Sequence, residues 1–276
     1  MLRLLQIEFI KLWNNRASKI LIFSYFILIC CIALISVIKF PFGEGIRLAD
    51  LGIFNFPYIW HLNTFIASLL KLFFAIVIVS MISNEYSNKT IKQNLIDGLS
   101  KKEFLKSKLS MVFAFSIIST LFVFLVTLIL GLIYSDYNQP SIIFSDLYYL
   151  LSYFIKIFAF FSFCIFLGIW VKRSAFALGF LILWYIMENL GIRFLVWWLF
   201  GQKSSESVMP FLPLESMANL IKEPFTRFNA VQSVAQQIGE NFTKDYSTHW
   251  YEFLIVLVWT ALFIYLSYAL LKKRDL

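Results

Sequence analysis

With 276 residues, 60% of them hydrophobic and only 14% charged, the chain carries more apolar surface than a soluble domain can hide, and it reads as an all-α polytopic membrane protein. Its formal net charge of +8 fits the cationic bias of loops on one side of a membrane, and no basic patch interleaved with aromatics supports binding to nucleic acid. Cys30, Cys31 and Cys164 all lie in apolar runs, without a CxxC or a histidine cluster, which argues against structural disulfides and metal sites.

Residues 1–15 read MLRLLQIEFIKLWNN. Leu2, Leu5, Phe9, Leu12 and Trp13 recur at helical spacing, with Arg3, Gln6, Lys11 and Asn14 between them, and predict an amphipathic helix lying in the membrane interface. The apolar run behind it is too long for a secretory signal, and no small-x-small cleavage site follows. Six runs of about the 20 residues needed to cross a bilayer are predicted, at 20–38, 59–83, 109–134, 147–171, from 175 onward, and 251–271. The first loop, 39–57, holds Pro41, Gly43 and Gly45, and the loop at 135–141 carries Asp136 and no Lys or Arg. The fifth run is interrupted by Glu188, Asn189 and Arg193. It is read as a span ending near Leu190 and a short outer re-entrant helix that turns back. Residues 201–249 are polar and punctuated by Pro210, Pro213 and Pro224, with a short helix expected at 214–221. Asn241 and Thr243 match a glycosylation acceptor pattern, which matters only in a secretory-pathway cell.

Six spans put both termini on one side. The N-terminal helix and its flank carry four Lys or Arg, residues 84–108 six, the 172–173 turn two and the C-terminus three, against seven spread over the much longer opposite loops. By the positive-inside rule the termini and residues 84–108 are cytoplasmic, and 201–249 is extracytoplasmic. With no internal repeat, residues 1–276 read as a single transmembrane domain.

Residues 84–108, NEYSNKTIKQNLIDGLSKKEFLKSK, predict two short helices parted by a glycine. Asn88 is the expected N-cap of the first, with Ile91 and Leu95 one turn apart on one face. Gly98 is the expected terminator, and Ser100 with Glu103 fits a capping box. Lys101 and Lys102 oppose the helix dipole by roughly 0.3–1 kcal/mol each, so anionic headgroups or an acidic partner are expected to compensate them.

No GxxxxGK[ST], HExxH or GxSxG occurs, so no catalytic or metal site is predicted. His61 and His249 read as interfacial residues. Three charges fall inside spans: Lys71, Lys156 and Glu188. Counted from their cytoplasmic anchors, all three lie roughly 21–24 Å deep, in the outer half of the bilayer. Two readings follow. Glu188 pairs with one or both lysines, so that Glu188→Gln destabilises the protein unless a lysine is also neutralised; or the lysines snorkel outward to headgroups. A secondary transporter with Lys71, Lys156 and Glu188 as its charged core is the alternative function.

The central stretch resembles the loop between spans two and three of ABC-2 type transporter permeases. In that family a Glu closes the second span, followed by a Gly-Thr pair, a short Leu-rich helix, a Pro-x-Ser-Arg turn and a Lys opening the third span. Glu85, Thr90, Leu95, Ser100 and Lys108 stand at the matching places; Lys89 replaces the favoured Gly, Gly98 the Pro and Lys101 the Arg. The N-terminal amphipathic helix is similar to the family's elbow helix, as are the six spans, the broken fifth span and the terminal Arg274-Asp275-Leu276. The resemblance implies a permease subunit, without an ATPase site of its own, of an exporter of a lipid, peptide, drug or glycolipid in the cytoplasmic membrane. It implies a separate cytoplasmic ATPase that binds ATP and Mg, and a second permease subunit, identical or not. The 84–108 loop, through Glu85, Thr90, Ile91, Leu95, Ser100, Lys101 and Lys108, would couple to that ATPase, and a pathway would lie where the first and fifth spans face the second subunit.

Overall fold

The computed structural model describes residues 2–35, 38, 52–137, 139–227 and 245–274. Pro41, Gly43, Gly45, the Asn241 acceptor pattern and Asp275-Leu276 lie outside them. Among the described residues there is no strand, and six helical segments are long and apolar enough to cross a membrane: Arg16–Ile35, Tyr58–Ser87, Lys101–Tyr134, Pro140–Val171, Ser174–Phe200 and Trp250–Lys273.

Helix α1 (Leu2–Asn14) is separated from α2 (Arg16–Ile35) by Asn15. The Asn15 side-chain oxygen accepts from the backbone N–H groups of Ala17 (3.0 Å) and Ser18 (3.2 Å), so one residue ends the first helix and caps the second. The second span is two helices, α3 (Tyr58–Leu69) and α4 (Lys71–Ser87), joined at Leu70. A short helix, α5 (Thr90–Ile96), precedes the third span, α6 (Lys101–Tyr134). At 1.5 Å per residue α6 is on the order of 50 Å long, so its first turns extend beyond a hydrocarbon core of about 30 Å. After α7 (Pro140–Ile143), the fourth span, α8 (Tyr148–Val171), is the hub of the bundle.

The fourth span is 67% buried over its most apolar window, against 17% for each of the first and fifth. Gly168 eases that position: a Cβ there would meet the Ile82 side chain of α4 at 3.2 Å, so any larger residue would have to push Ile82 aside by a few tenths of an ångström where spans two and four pack. Deep in the bundle Tyr25 of α2, Ser119 of α6 and Tyr153 of α8 close a ring of hydroxyls. Tyr25 bonds to both others, and Ser119 meets Tyr153 at 2.7 Å. All three are buried, so the ring joins three spans where no bulk solvent competes.

The fifth span departs from the expectation. It does not end near Leu190: α9 (Ser174–Ile186) continues through a π-helical turn, Met187–Ile192, into α10 (Arg193–Phe200). The wider turn absorbs the polar Glu188 and Asn189 without breaking the helix. The chain reverses only at Gly201 (φ +82°), and α11 (Gln202–Val208) packs back on α10, with the Ser205 hydroxyl donating to the Arg193 carbonyl (3.4 Å). Helix α12 (Pro213–Asn219) brings the chain to the level of Glu188, close to the short helix expected at 214–221. The last span is α13 (Trp250–Lys273). His61 is not interfacial in surroundings: it is buried, stacked on Tyr149 at 4.3 Å, and its Nε2 lies 2.8 Å from the Lys222 carbonyl.

Candidate functional site

The stretch between spans two and three is built largely as its residues dictate. Lys89, not Asn88, is the N-cap of α5, and it adopts the left-handed conformation at φ +56°. This is the position where the resembling family favours Gly. A left-handed conformation costs a residue with a Cβ roughly 1–2 kcal/mol, so Lys89→Gly is expected to raise stability by about 1 kcal/mol, read as a higher midpoint in thermal unfolding of the purified protein. At the other end Gly98 sits at φ +95°. The Gly98 N–H reaches the Leu95 carbonyl (3.2 Å) and the Leu99 N–H the Asn94 carbonyl (2.9 Å), the paired bonds of a Schellman stop. The capping box is complete: Ser100 Oγ accepts from the Glu103 N–H (3.2 Å), and Glu103 Oε2 accepts from the Ser100 N–H (2.9 Å).

Glu85 and Lys108, 23 residues apart, meet. The Lys108 side chain has no exposed surface; its ammonium donates to Glu85 Oε1 and, at 2.6 Å, to Glu8 Oε2 of α1. Lys11, 41% exposed, closes the cluster at 3.1 Å from Glu85 and 3.4 Å from Glu8. Two carboxylates and two ammonium groups thus balance, and the cluster ties α1 to the end of span two and the start of span three. Burial opposes the charge of Lys11, but Glu85 and Glu8 outweigh it and hold its ammonium above the ordinary lysine value. Thr90 adds a bond from its hydroxyl to the Glu85 carbonyl (3.3 Å). Sequence reasoning missed Glu8 as a partner. The signal was present: an acid one turn from Leu5 and from Leu12 interrupts the stripe that faces the bundle.

Two expectations for this stretch change. Lys101 is compensated from within the chain, its ammonium donating to the carbonyls of Arg274 (2.7 Å) and Lys272 (3.5 Å) at the end of α13; Lys102 is exposed. Carbonyls at a helix C-terminus favour a cation, so neither lipid nor a partner is needed for Lys101. The Ile91 and Leu95 face is turned inward: Ile91 is buried, and Leu95 packs against the core. The outward face of α5 is Lys89, Lys92, Gln93 and Ile96, the last 75% exposed.

The intramembrane charges do not form the expected pair. Among the described residues Glu188 makes no ion pair with Lys71 or Lys156. Its carboxylate accepts from Trp184 Nε1 (2.5 Å) and from the backbone N–H groups of Leu214 (3.0 Å) and Glu215 (3.1 Å), in the first turn of α12. Lys156 holds the other end of that helix, donating to the carbonyls of Ala218 and Ile221, each at 3.4 Å. An anion at the N-terminus and a cation at the C-terminus both match the helix dipole. The two charges therefore clasp α12 from opposite ends, and neither snorkelling of Lys156 nor a charged core shared by all three residues is realised. Lys71 stands apart, its ammonium 4.4 Å from the centre of the Phe160 ring.

Compared with known families, residues 4–189 match a family model described as ABC-2 family transporter protein. Comparison with curated proteins gives no match.

Proposed function

The chain belongs to the ABC-2 transporter family, and from that premise we infer that it is the permease subunit of an ATP-driven exporter in the cytoplasmic membrane, with both termini and α5 in the cytoplasm. Its cargo class is a lipid, peptide, drug or glycolipid. ATP and Mg are bound by a separate ATPase subunit, and a second permease subunit completes the pathway; the outward apolar faces of the first and fifth spans support that pairing.

The observation that carries the coupling role is the contrast within α5. One face is anchored in the bundle by Ile91, and the other offers Ile96 as an apolar knob beside Lys89, Lys92 and Gln93. A knob on a short, capped helix is a suitable handle for a motor protein, because the neighbouring Glu8, Glu85 and Lys108 cluster passes its displacement to α1, α4 and α6 together.

The test pairs one substitution with one deletion. Ile96→Asp is expected to reduce copurification of the ATPase and ATP-driven transport at least tenfold while leaving the unfolding midpoint of the permease unchanged. Normal ATPase retention and transport in Ile96→Asp would remove the coupling role. Deletion of the genomically adjacent or copurifying ATPase should abolish transport; full activity without one would refute the inference as a whole.

A further inference from the structure

Between spans two, four and five, under α12, lies a cavity of about 740 Å³. Its walls include Phe65, Phe160 and Leu181. Its mouth faces sideways across Leu69, Leu72 and Ile182, each more than half exposed on the outside of the bundle. Such a mouth opens onto lipid rather than only onto water.

Two ammonium groups face this apolar space, Lys71 and Lys156. Lys156 spends its donors on α12 over long bonds of 3.4 Å, and an ammonium has three. Lys71 has no hydrogen bond or ion pair among the described residues, and its ammonium lies against the Phe160 ring. Lys222, Glu223 and Asp245 also line the cavity, and all three have partners of their own. Lys222 pairs with Glu252 at 3.5 Å, Glu223 accepts from Thr226, and Asp245 accepts from Ser247 and lies 3.0 Å from His249 Nε2. Neither Lys71 nor Lys156 has an acid partner among the described residues, and an uncompensated cation is costly inside a membrane.

We propose that this cavity holds one anionic phospholipid per subunit, its phosphate between Lys71 and Lys156 and its acyl chains leaving between spans two and five over Leu69, Leu72 and Ile182. The phosphodiester supplies the missing negative charge and several acceptor oxygens, and charge-assisted hydrogen bonds to it are about twice as strong as neutral ones. The apolar mouth selects a lipid over a free anion. Because Lys156 also holds α12, an occupied cavity stabilises the outer cap of the bundle. This site stands independently of the ATPase coupling proposed above.

Native mass spectrometry of the full-length, detergent-purified protein, titrated with dioleoyl-phosphatidylglycerol or dioleoyl-phosphatidylcholine, tests it. Wild type is expected to retain one phosphatidylglycerol at least tenfold more tightly than phosphatidylcholine. Lys71→Gln is expected to lose that preference, and Lys71→Arg to keep it. Lys71 is the residue to replace, since Lys156 variants also release α12. Equal retention of the two lipids, or an undiminished preference in folded Lys71→Gln, overturns the proposal. So does displacement of the lipid by millimolar inorganic phosphate, which would mark a small-anion site.

Discussion

Lys108→Met is expected to leave little folded protein, with a loss of about 3–5 kcal/mol, because it strands Glu8 and Glu85 as buried carboxylates facing each other. Lys11 is too exposed to neutralise both. The loss should be smaller for Lys11→Met, since that pair is partly hydrated and its removal leaves Lys108 in place. The triple variant Glu8→Met, Glu85→Met, Lys108→Met should recover most of the stability, because replacing a whole buried charged cluster by well-packed apolar residues of similar size is often close to neutral. Fluorescence-detected size exclusion with a heating series measures all three. A Lys108→Met protein as stable as wild type would mean that the cluster does not hold α1 to the bundle.

Glu188→Ala is expected to cost roughly 2–4 kcal/mol locally, by leaving the N–H groups of Leu214 and Glu215 and the Trp184 indole without their acceptor. The effect should be confined: faster hydrogen exchange across 213–219 and new protease sensitivity there, with the rest of the bundle intact. Glu188→Gln keeps one acceptor oxygen and should cost less. Neutralising Lys71 alongside should not rescue either variant, because no ion pair joins the two residues. Rescue of Glu188→Gln by Lys71→Gln would restore the intramembrane pair that the sequence suggests and the structure replaces with a clasp on α12.

The contrast shows which physics a linear chain displays. Spans, the capping box at Ser100 and Glu103 and the stop at Gly98 depend on residues within a few positions of one another, and each is legible. The family motif singles out Glu85 and Lys108, and only the fold shows that the two side chains meet. The partners of Glu188 are not legible in the sequence, for a definite reason. Charge counting sees only ionised side chains, whereas its acceptors' partners are backbone amides 26 and 27 residues ahead, in a helix that returns only after Gly201. Lys101 is hidden from a linear reading in the same way, its partners being carbonyls at the far end of the chain. Ile91 and Leu95 were correctly joined as one face; a seven-residue helix does not reveal which of its faces looks inward.

The hydroxyl ring of Tyr25, Ser119 and Tyr153 has one more implication. Each member gives one proton and receives one, so the three form a closed circuit whose sense of donation can run either way round without a spare proton or an idle lone pair. Such a circuit has no half-measure: erase any oxygen and the two survivors keep a single link, with one proton and one lone pair left facing hydrocarbon. The first, third and fourth rods are thereby tied together inside the bundle, and relative movement among those three would have to break the circuit.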